Sequence, residues 1–163
     1  MTPPMGPGIL GVGIDLIEID RIERALERHP RFAQRCFTPA EEAYCSSRAY
    51  PPQHFAARFA AKEAVAKAFS TGIGPLLSWK SVSVYHGERM DPRVRLDEKG
   101  QALLHEAGAT HVLLTLAHTD GQALAVAALV RAEKGSAGVW AHHPSVRRGR
   151  SCRRPRRGSF SVS

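Results

Sequence analysis

A chain of 163 residues with 43% hydrophobic content is long enough for one domain with a real core. No apolar run reaches the roughly 18 residues needed to cross a bilayer, and the opening MTPPMGPGIL has neither the positive n-region nor the apolar h-region of a secretory signal. The three cysteines, Cys36, Cys45 and Cys152, lack CxxC spacing, which speaks against a disulfide framework or a zinc site and for a reducing cytosol.

Taken in chain order, the stretch ILGVGIDLIEI over 9–19 alternates and is rich in β-branched residues, so it reads as a strand. Asp20 starts a helix that runs to Arg28 and stops at His29-Pro30. Thr38-Pro39-Ala40-Glu41 is a capping box with proline at the first helical position, opening a second helix. A third helix is expected over 52–69, with Gly72 as its C-cap. WKSVSVYHG and RVRL form a hairpin pair around 87–92, and DEKGQALLHEAGA is a short helix. HVLLTLAHT and QALAVAALV are apolar strands joined at Asp120-Gly121, a strong hairpin signal. The order β-α-α-α-β-β-α-β-β means an α+β fold with a mostly antiparallel sheet packed with helices.

Charge is unevenly divided. Residues 131–163 hold nine Lys and Arg against Glu133 alone, so 1–130 carries 14 basic and 14 acidic residues and the tail carries the whole net charge of +8. Three segments follow: a flexible N-terminus (1–8), a neutral domain (9–130) and a basic tail (131–163) without hydrophobic period, expected to be disordered. An arginine-rich tail can grip phosphate backbones, but text of this kind also arises from a shifted reading frame in GC-rich DNA. An appendage without a selected role is the reading preferred here, and nucleic-acid binding the lesser one. Within the tail, His142-His143 is at most an adventitious metal site.

Two places in the domain put charge where bulk is missing. In the first strand, Leu10, Val12, Ile14 and Leu16 fall on one face and Gly11, Gly13 and Asp15 on the other. A carboxylate beside a core needs a partner. That partner is either a helix end or something that approaches closely over the glycines. In the third helix, Phe55, Phe59, Ala66 and Phe69 form the docking face, while Ala56, Ala60, Glu63 and Lys67 share the adjoining stripe. From spacing alone, a Glu63–Lys67 surface pair worth a few tenths of a kcal/mol is the plainer reading. Arg21, Arg24 and Arg28 occupy one face of the first helix, opposite Ile19, Ile22 and Leu26, with Arg31 and Arg35 continuing the series. His86, His105 and His111 show no ligand spacing, and TGIG over 71–74 is a helix stop rather than a phosphate cradle.

GVGIDLIEIDRI, then FAARFAAKEAVAKAFSTGIG, then a late strand ending in AHT, resemble in order and spacing the small single-domain holo-acyl-carrier-protein synthases of the 4′-phosphopantetheinyl transferase family, from Ile9 to Val130. The resemblance implies that family's fold and its reaction. A serine hydroxyl of apo-acyl carrier protein attacks the phosphorus bearing pantetheine in coenzyme A, giving holo-carrier and adenosine 3′,5′-bisphosphate. It implies Mg²⁺ held by Asp15 and Glu63, with Lys67 against the pyrophosphate of the coenzyme A substrate and alanines leaving room for that ligand. Hard oxygen ligands shared with substrate phosphates suit Mg²⁺. Glu63 and Lys67 are then the catalytic residues, with the proton acceptor open between Glu63 and a metal-bound water. Arg58 and His118 are expected near the nucleotide, Arg58 with the alternative of a helix-surface role. Ala117 stands where relatives usually carry Ser or Thr, which puts one hydroxyl contact in doubt. Arg21, Arg28 and Arg31 match positions that dock the acidic carrier, and an arginine face suits a transient acidic partner. The resemblance further implies a cytoplasmic homotrimer with active sites where subunits meet, serving fatty-acid synthesis. A transferase for polyketide or other specialised carriers is the alternative within the class.

Overall fold

The computed structural model describes residues 8–132. They run β1 (Gly8–Glu18), α1 (Ile19–Arg28), α2 (Phe32–Cys36), α3 (Pro39–Ser46), α4 (Pro51–Ala68), a 3-10 turn (Trp79–Ser81), β2 (Val82–His86), β3 (Pro92–Leu96), α5 (Glu98–Glu106), β4 (His111–His118) and β5 (Gln122–Arg131). The expected order holds, with α2 added, because five residues are too few for a helical period to show. The readings of the N-terminus before Gly8 and of the tail beyond Ala132 lie outside the described residues.

Local signals explain most boundaries. Thr38 caps α3: its Oγ1 accepts from the Glu41 backbone, and Glu41 Oε2 accepts from the Thr38 N–H at 2.8 Å. Pro51 and Pro52 sit in the first turn of α4, where no intrahelical donor is lost. At the other end of α4, Ser70 already turns left-handed (φ 58°), two residues ahead of the expected Gly72 (φ 63°). The N–H groups of Thr71 and Gly72 both return to the Ala66 carbonyl, at 3.2 and 3.3 Å.

All strand pairing is antiparallel, in two sheets ordered β1-β5-β4 and β2-β3. Helix α4 lies across β1 and β5 on small residues. Ala60, Ala61 and Ala64 of the helix and Ala123, Ala125 and Ala127 of β5 are fully buried. A Cβ on Gly13 would run into the Ala64 carbonyl, and one on Gly11 into the Ala68 carbonyl. What approaches over the β1 glycines is therefore α4 itself. The alanines set helix–sheet distance, which corrects the expectation that they leave room for a ligand.

The apolar stripe of β1 also behaves differently from a core face. A register irregularity between Ile9 and Gly11 leaves Leu10 packed on the core. Val12, Ile14 and Leu16 remain 56–60% exposed, on the sheet face away from α4. Leu124 and Val126 of β5 pair with Leu16 and Ile14 on that open face, and Leu113 of β4, 38% exposed, continues it. The result is an uncovered apolar sheet face on three adjacent strands.

Candidate functional site

Strand β1 carries Asp15 on its α4 side, and α4 carries Glu63 and Lys67 one turn apart, so the three meet where strand and helix cross. Lys67 Nζ donates to Asp15 Oδ1 at 2.8 Å and to the Ile14 carbonyl at 3.1 Å. The Asp15 side chain is 16% exposed and that of Lys67 50%. Among the described residues no Glu63–Lys67 ion pair forms, so the surface pair read from spacing gives way to a cross-element bridge to Asp15. Glu63 is left with a half-buried carboxyl held above its ordinary pKa, first by burial and then by the neighbouring Asp15 charge, with Lys67 opposing.

Two neighbouring carboxylates, with a lysine bonded to only one of them and the Glu63 carboxyl held up by burial and by Asp15, form a site that a cation would relieve. Among the described residues no three His, Cys, Asp or Glu side chains gather in a metal-holding group. The donor set is thus Asp15 and Glu63 alone, both hard oxygens. This fits Mg²⁺, which binds through one or two carboxylates and completes its shell with water and substrate phosphate, better than a closed all-protein cage.

The other end of α4 builds a second site. Arg58 is 2% exposed; its guanidinium lies over the Tyr44 ring (4.0 Å to the centroid) and its Nε has no hydrogen-bond partner. It therefore does not cap the helix surface. It lines a cavity of about 240 Å³ together with Gln53, His54, His86, Leu116 and His118. His118, at the end of β4, is 2.9 Å from the Gln53 amide nitrogen. Ala117 pairs with Leu124, on the face opposite His118, so a hydroxyl there would not enter this cavity. Sequence reading missed His54 and His86 here, because they come from different elements and have no spacing in common.

Arg21, Arg28 and Arg31 are exposed and make no ion pair among the described residues, whereas Arg24 is bound to Asp20 at 3.0 Å. Beside them lies a cavity of about 580 Å³ with Arg31 and Arg35 on its rim and Phe32, Phe59 and Trp79 in its lining. Phe59 packs on both aromatics, with centroids 6.0 Å from Phe32 and 4.4 Å from Trp79. The cysteine in that lining is Cys36; Cys45 of α3 is fully buried, with its thiol pushed up to about 11 chiefly by burial, which leaves it unreactive.

A third ionic group was not anticipated. Lys62 Nζ, fully buried, donates to Glu41 Oε2 (2.8 Å) and to the carbonyls of Trp79 (2.8 Å) and Val82 (2.6 Å). Glu41 Oε1 accepts from the Val84 N–H at 2.8 Å. Burial draws the Lys62 ammonium below its ordinary pKa, against the pull of Glu41. The one sequence signal was that Glu41 belongs to the capping box of α3.

An α+β domain of this order, with paired carboxylates and a lysine where the first strand meets the long helix, defines a class. The chain belongs to the 4′-phosphopantetheinyl transferase superfamily, whose model matches residues 11–127. It is 45% identical to the holo-[acyl-carrier-protein] synthase of Moorella thermoacetica over 119 residues, 73% of this chain and 92% of that protein. Its fold matches the crystal structure of the same enzyme from Neisseria meningitidis with TM-score 0.70 at 31% identity, covering 75% of this chain and 98% of the other. The Helicobacter pylori enzyme in complex with coenzyme A matches with TM-score 0.65 at 28% identity, over 72% and 98% of the two chains. Among the described residues, no helix is long and apolar enough to cross a membrane.

Proposed function

We propose that this chain is a holo-acyl-carrier-protein synthase, moving 4′-phosphopantetheine from coenzyme A to a serine of apo-acyl carrier protein, with residues 9–130 as the transferase domain. The observation that carries the reading is the convergence of Asp15, Glu63 and Lys67 in a chain of this family. Asp15 and Glu63 hold Mg²⁺, which supplies charge neutralisation at the pyrophosphate oxygens when bound. Lys67, half exposed and tethered at Asp15, turns its ammonium to the same oxygens. It stabilises charge on the departing adenosine 3′,5′-bisphosphate as the serine Oγ–P bond forms and the P–O bond to the nucleotide breaks. Glu63 is the chain's own carboxylate at this centre able to accept the serine proton.

Arg58 and His118 bind the nucleotide end of coenzyme A. Arg58 precedes Glu63 by five residues, about 140° round the helix. One extended ligand therefore does not reach both groups of a single chain without wrapping α4. A second copy supplies the other half, and the open face of Val12, Ile14, Leu16 and Leu113 gives that copy an apolar surface to cover. We assign the assembly as a homotrimer with sites between subunits. Arg21, Arg28 and Arg31, beside the aromatic cavity, dock the acidic carrier, in a reading that puts the enzyme in the cytoplasm and in fatty-acid synthesis. The test is a mass spectrum of apo-carrier incubated with the full chain, coenzyme A and Mg²⁺. A gain of one phosphopantetheine is expected. No gain from folded protein, as judged by circular dichroism, would overturn the reading.

A further inference from the structure

Three elements build the aromatic cavity beside α1: α2 gives Phe32, α4 gives Phe59 and the 3-10 turn gives Trp79. The chain over 69–78, between α4 and that turn, forms no helix or strand. No regular element upstream therefore fixes where Trp79 stands. Lys62 does. From inside α4 its Nζ donates to the Trp79 carbonyl at 2.8 Å and to the Val82 carbonyl at 2.6 Å, at the two ends of the turn. It also donates to Glu41 Oε2 at 2.8 Å, and the other oxygen of Glu41 accepts from the Val84 N–H. The same ammonium lies 5.6 Å from the centre of the Phe37 ring, which meets Phe32 edge-on at 6.2 Å. Its charge reaches the Cys36 thiol in the cavity lining, opposing the upward push of burial there. One buried cation thus stands behind the whole aromatic wall. The front of the cavity is basic: Arg31 and Arg35 line it with His29, and among the described residues no carboxylate does. An aromatic hollow with a cationic rim suits an apolar side chain flanked by acids.

We propose that Lys62 is a positioning residue for carrier recognition: through the Trp79 carbonyl it holds the aromatic wall on which an apolar side chain of the acidic carrier seats. The proposal rests on the reading that the arginines of this face dock the carrier. Its physical basis is the difference between a wall that only packs and a wall that is tied. The Trp79 ring rests on Phe59, with centroids 4.4 Å apart. An indole held by ring contact alone settles at several offsets, because each dispersion contact is weak and non-directional. A charge-assisted hydrogen bond to the carbonyl of the same residue is directional, and it fixes the backbone from which the ring projects. Lys62 is fully buried and touches neither substrate, so its effect on the carrier passes through Trp79. Asp15 and Lys67 bond to each other and not to Lys62. The reacting centre therefore keeps its groups when the tie is cut.

The experiment joins steady-state transfer to tryptophan emission, in the full chain carrying Trp140→Phe so that Trp79 is its only tryptophan. The partner is an apo-acyl carrier protein that lacks tryptophan. Adding it should move Trp79 emission to shorter wavelength and reduce quenching by acrylamide. Lys62→Met should open Trp79 to acrylamide in the free chain and weaken the response to carrier. Lys62→Met and Trp79→Leu should each raise the KM for carrier about fivefold to tenfold, the scale of losing one well-seated interface contact, with kcat and coenzyme A affinity moving less than about twofold. Combined, they should exceed either alone by less than about twofold, because both remove the same wall. Glu41→Gln separates positioning from stability. It takes the counter-charge from Lys62 and should lower the urea midpoint, yet it leaves both carbonyl bonds and hence the carrier KM. If Lys62→Met does not fold, Lys62→Met with Glu41→Leu, which removes the stranded acid, should show the same rise in KM. A carrier KM that follows the urea midpoint through Glu41→Gln as well, or fully additive effects of Lys62→Met and Trp79→Leu, would make Lys62 structural only and overturn the proposal. Emission unmoved by a carrier that is being modified overturns it too. A KM that ignores Trp79→Leu but responds to Arg21→Glu overturns this proposal alone, and one that ignores both overturns the docking reading with it.

Discussion

Lys62 and Lys67 stand five residues apart on one helix, and each meets a carboxylate from another element at 2.8 Å. Their surroundings separate them. Lys62 is sealed among Glu41 and two carbonyls, so all three of its protons have protein partners. Lys67 is half exposed, shares its carboxylate's neighbourhood with a second acid, Glu63, and keeps a face to solvent. A saturated charge can only hold structure. A charge left partly open beside an unrelieved carboxylate is free to answer a ligand. The same residue pair therefore acts as a bolt at one turn of α4 and as a working group at the next.

The largest expected effect tests the bolt. Lys62→Met leaves Glu41 buried and uncompensated, which typically costs about 3–5 kcal/mol, read as a fall in the urea unfolding midpoint. Adding Glu41→Leu should restore only part of that, because Glu41 also caps α3 and holds the Val84 N–H. A Lys62→Met chain within ~1 kcal/mol of wild type would dissolve the contrast. Next comes the open site. Glu63→Ala should lower kcat/KM at least about 100-fold, the order seen when one preorganised charge contact is lost. Its unfolding midpoint should stay near wild type, since the residue is half exposed and its carboxyl is held in an unfavourable environment. A stability loss comparable to that of Lys62→Met would make Glu63 a second bolt.

Much of this was legible in the sequence, and the reasons divide by range. Capping at Thr38, the stop at His29-Pro30 and the turn at Asp120-Gly121 depend on neighbours a few residues apart, so local text specifies them. Asp15, Glu63 and Lys67 could be paired only through a family resemblance. Nothing in the spacing of a strand and a helix 48 residues apart states that they touch. One pattern can have two causes. Alternation in β1 marks two faces but not which one the helix covers, and the helix chose the glycine face because only there can it lie close. Alanines likewise look the same whether they make room for a ligand or for a sheet. His54, His86 and His118 were illegible as a group, since three separate elements bring them together.

A smaller effect sharpens the working end. Lys67→Ala should slow transfer by about 10- to 100-fold, less than the loss at Glu63, because Lys67 assists charge that the metal also neutralises. It should also move Glu63. The Lys67 cation lowers the Glu63 pKa, so its removal should raise that pKa further and shift the Glu63 carboxyl resonance midpoint to higher pH in the metal-free chain. An unmoved or lowered midpoint would show that Lys67 serves Asp15 alone.

The smallest effect carries the contrast between spent and available charge to the surface of α1. Arg24 is bound to Asp20 at 3.0 Å, while Arg21 on the same face is exposed and has no ion pair among the described residues. Exposed charge contacts are worth about 1 kcal/mol or less, so Arg21→Glu should raise the KM for carrier protein about fivefold to tenfold, the reversal counting both a lost attraction and a new repulsion. Arg24→Ala should change it less, because its charge is already partly answered by Asp20. Both differences should shrink as salt rises, since screening at physiological ionic strength sets in beyond about 8 Å. Coenzyme A affinity should not follow either variant. Steady-state kinetics on the two variants at low and high salt decide it: equal effects of Arg21 and Arg24 would mean that intrahelical pairing does not withdraw an arginine from docking, and no effect of either would remove this helix from the carrier's path.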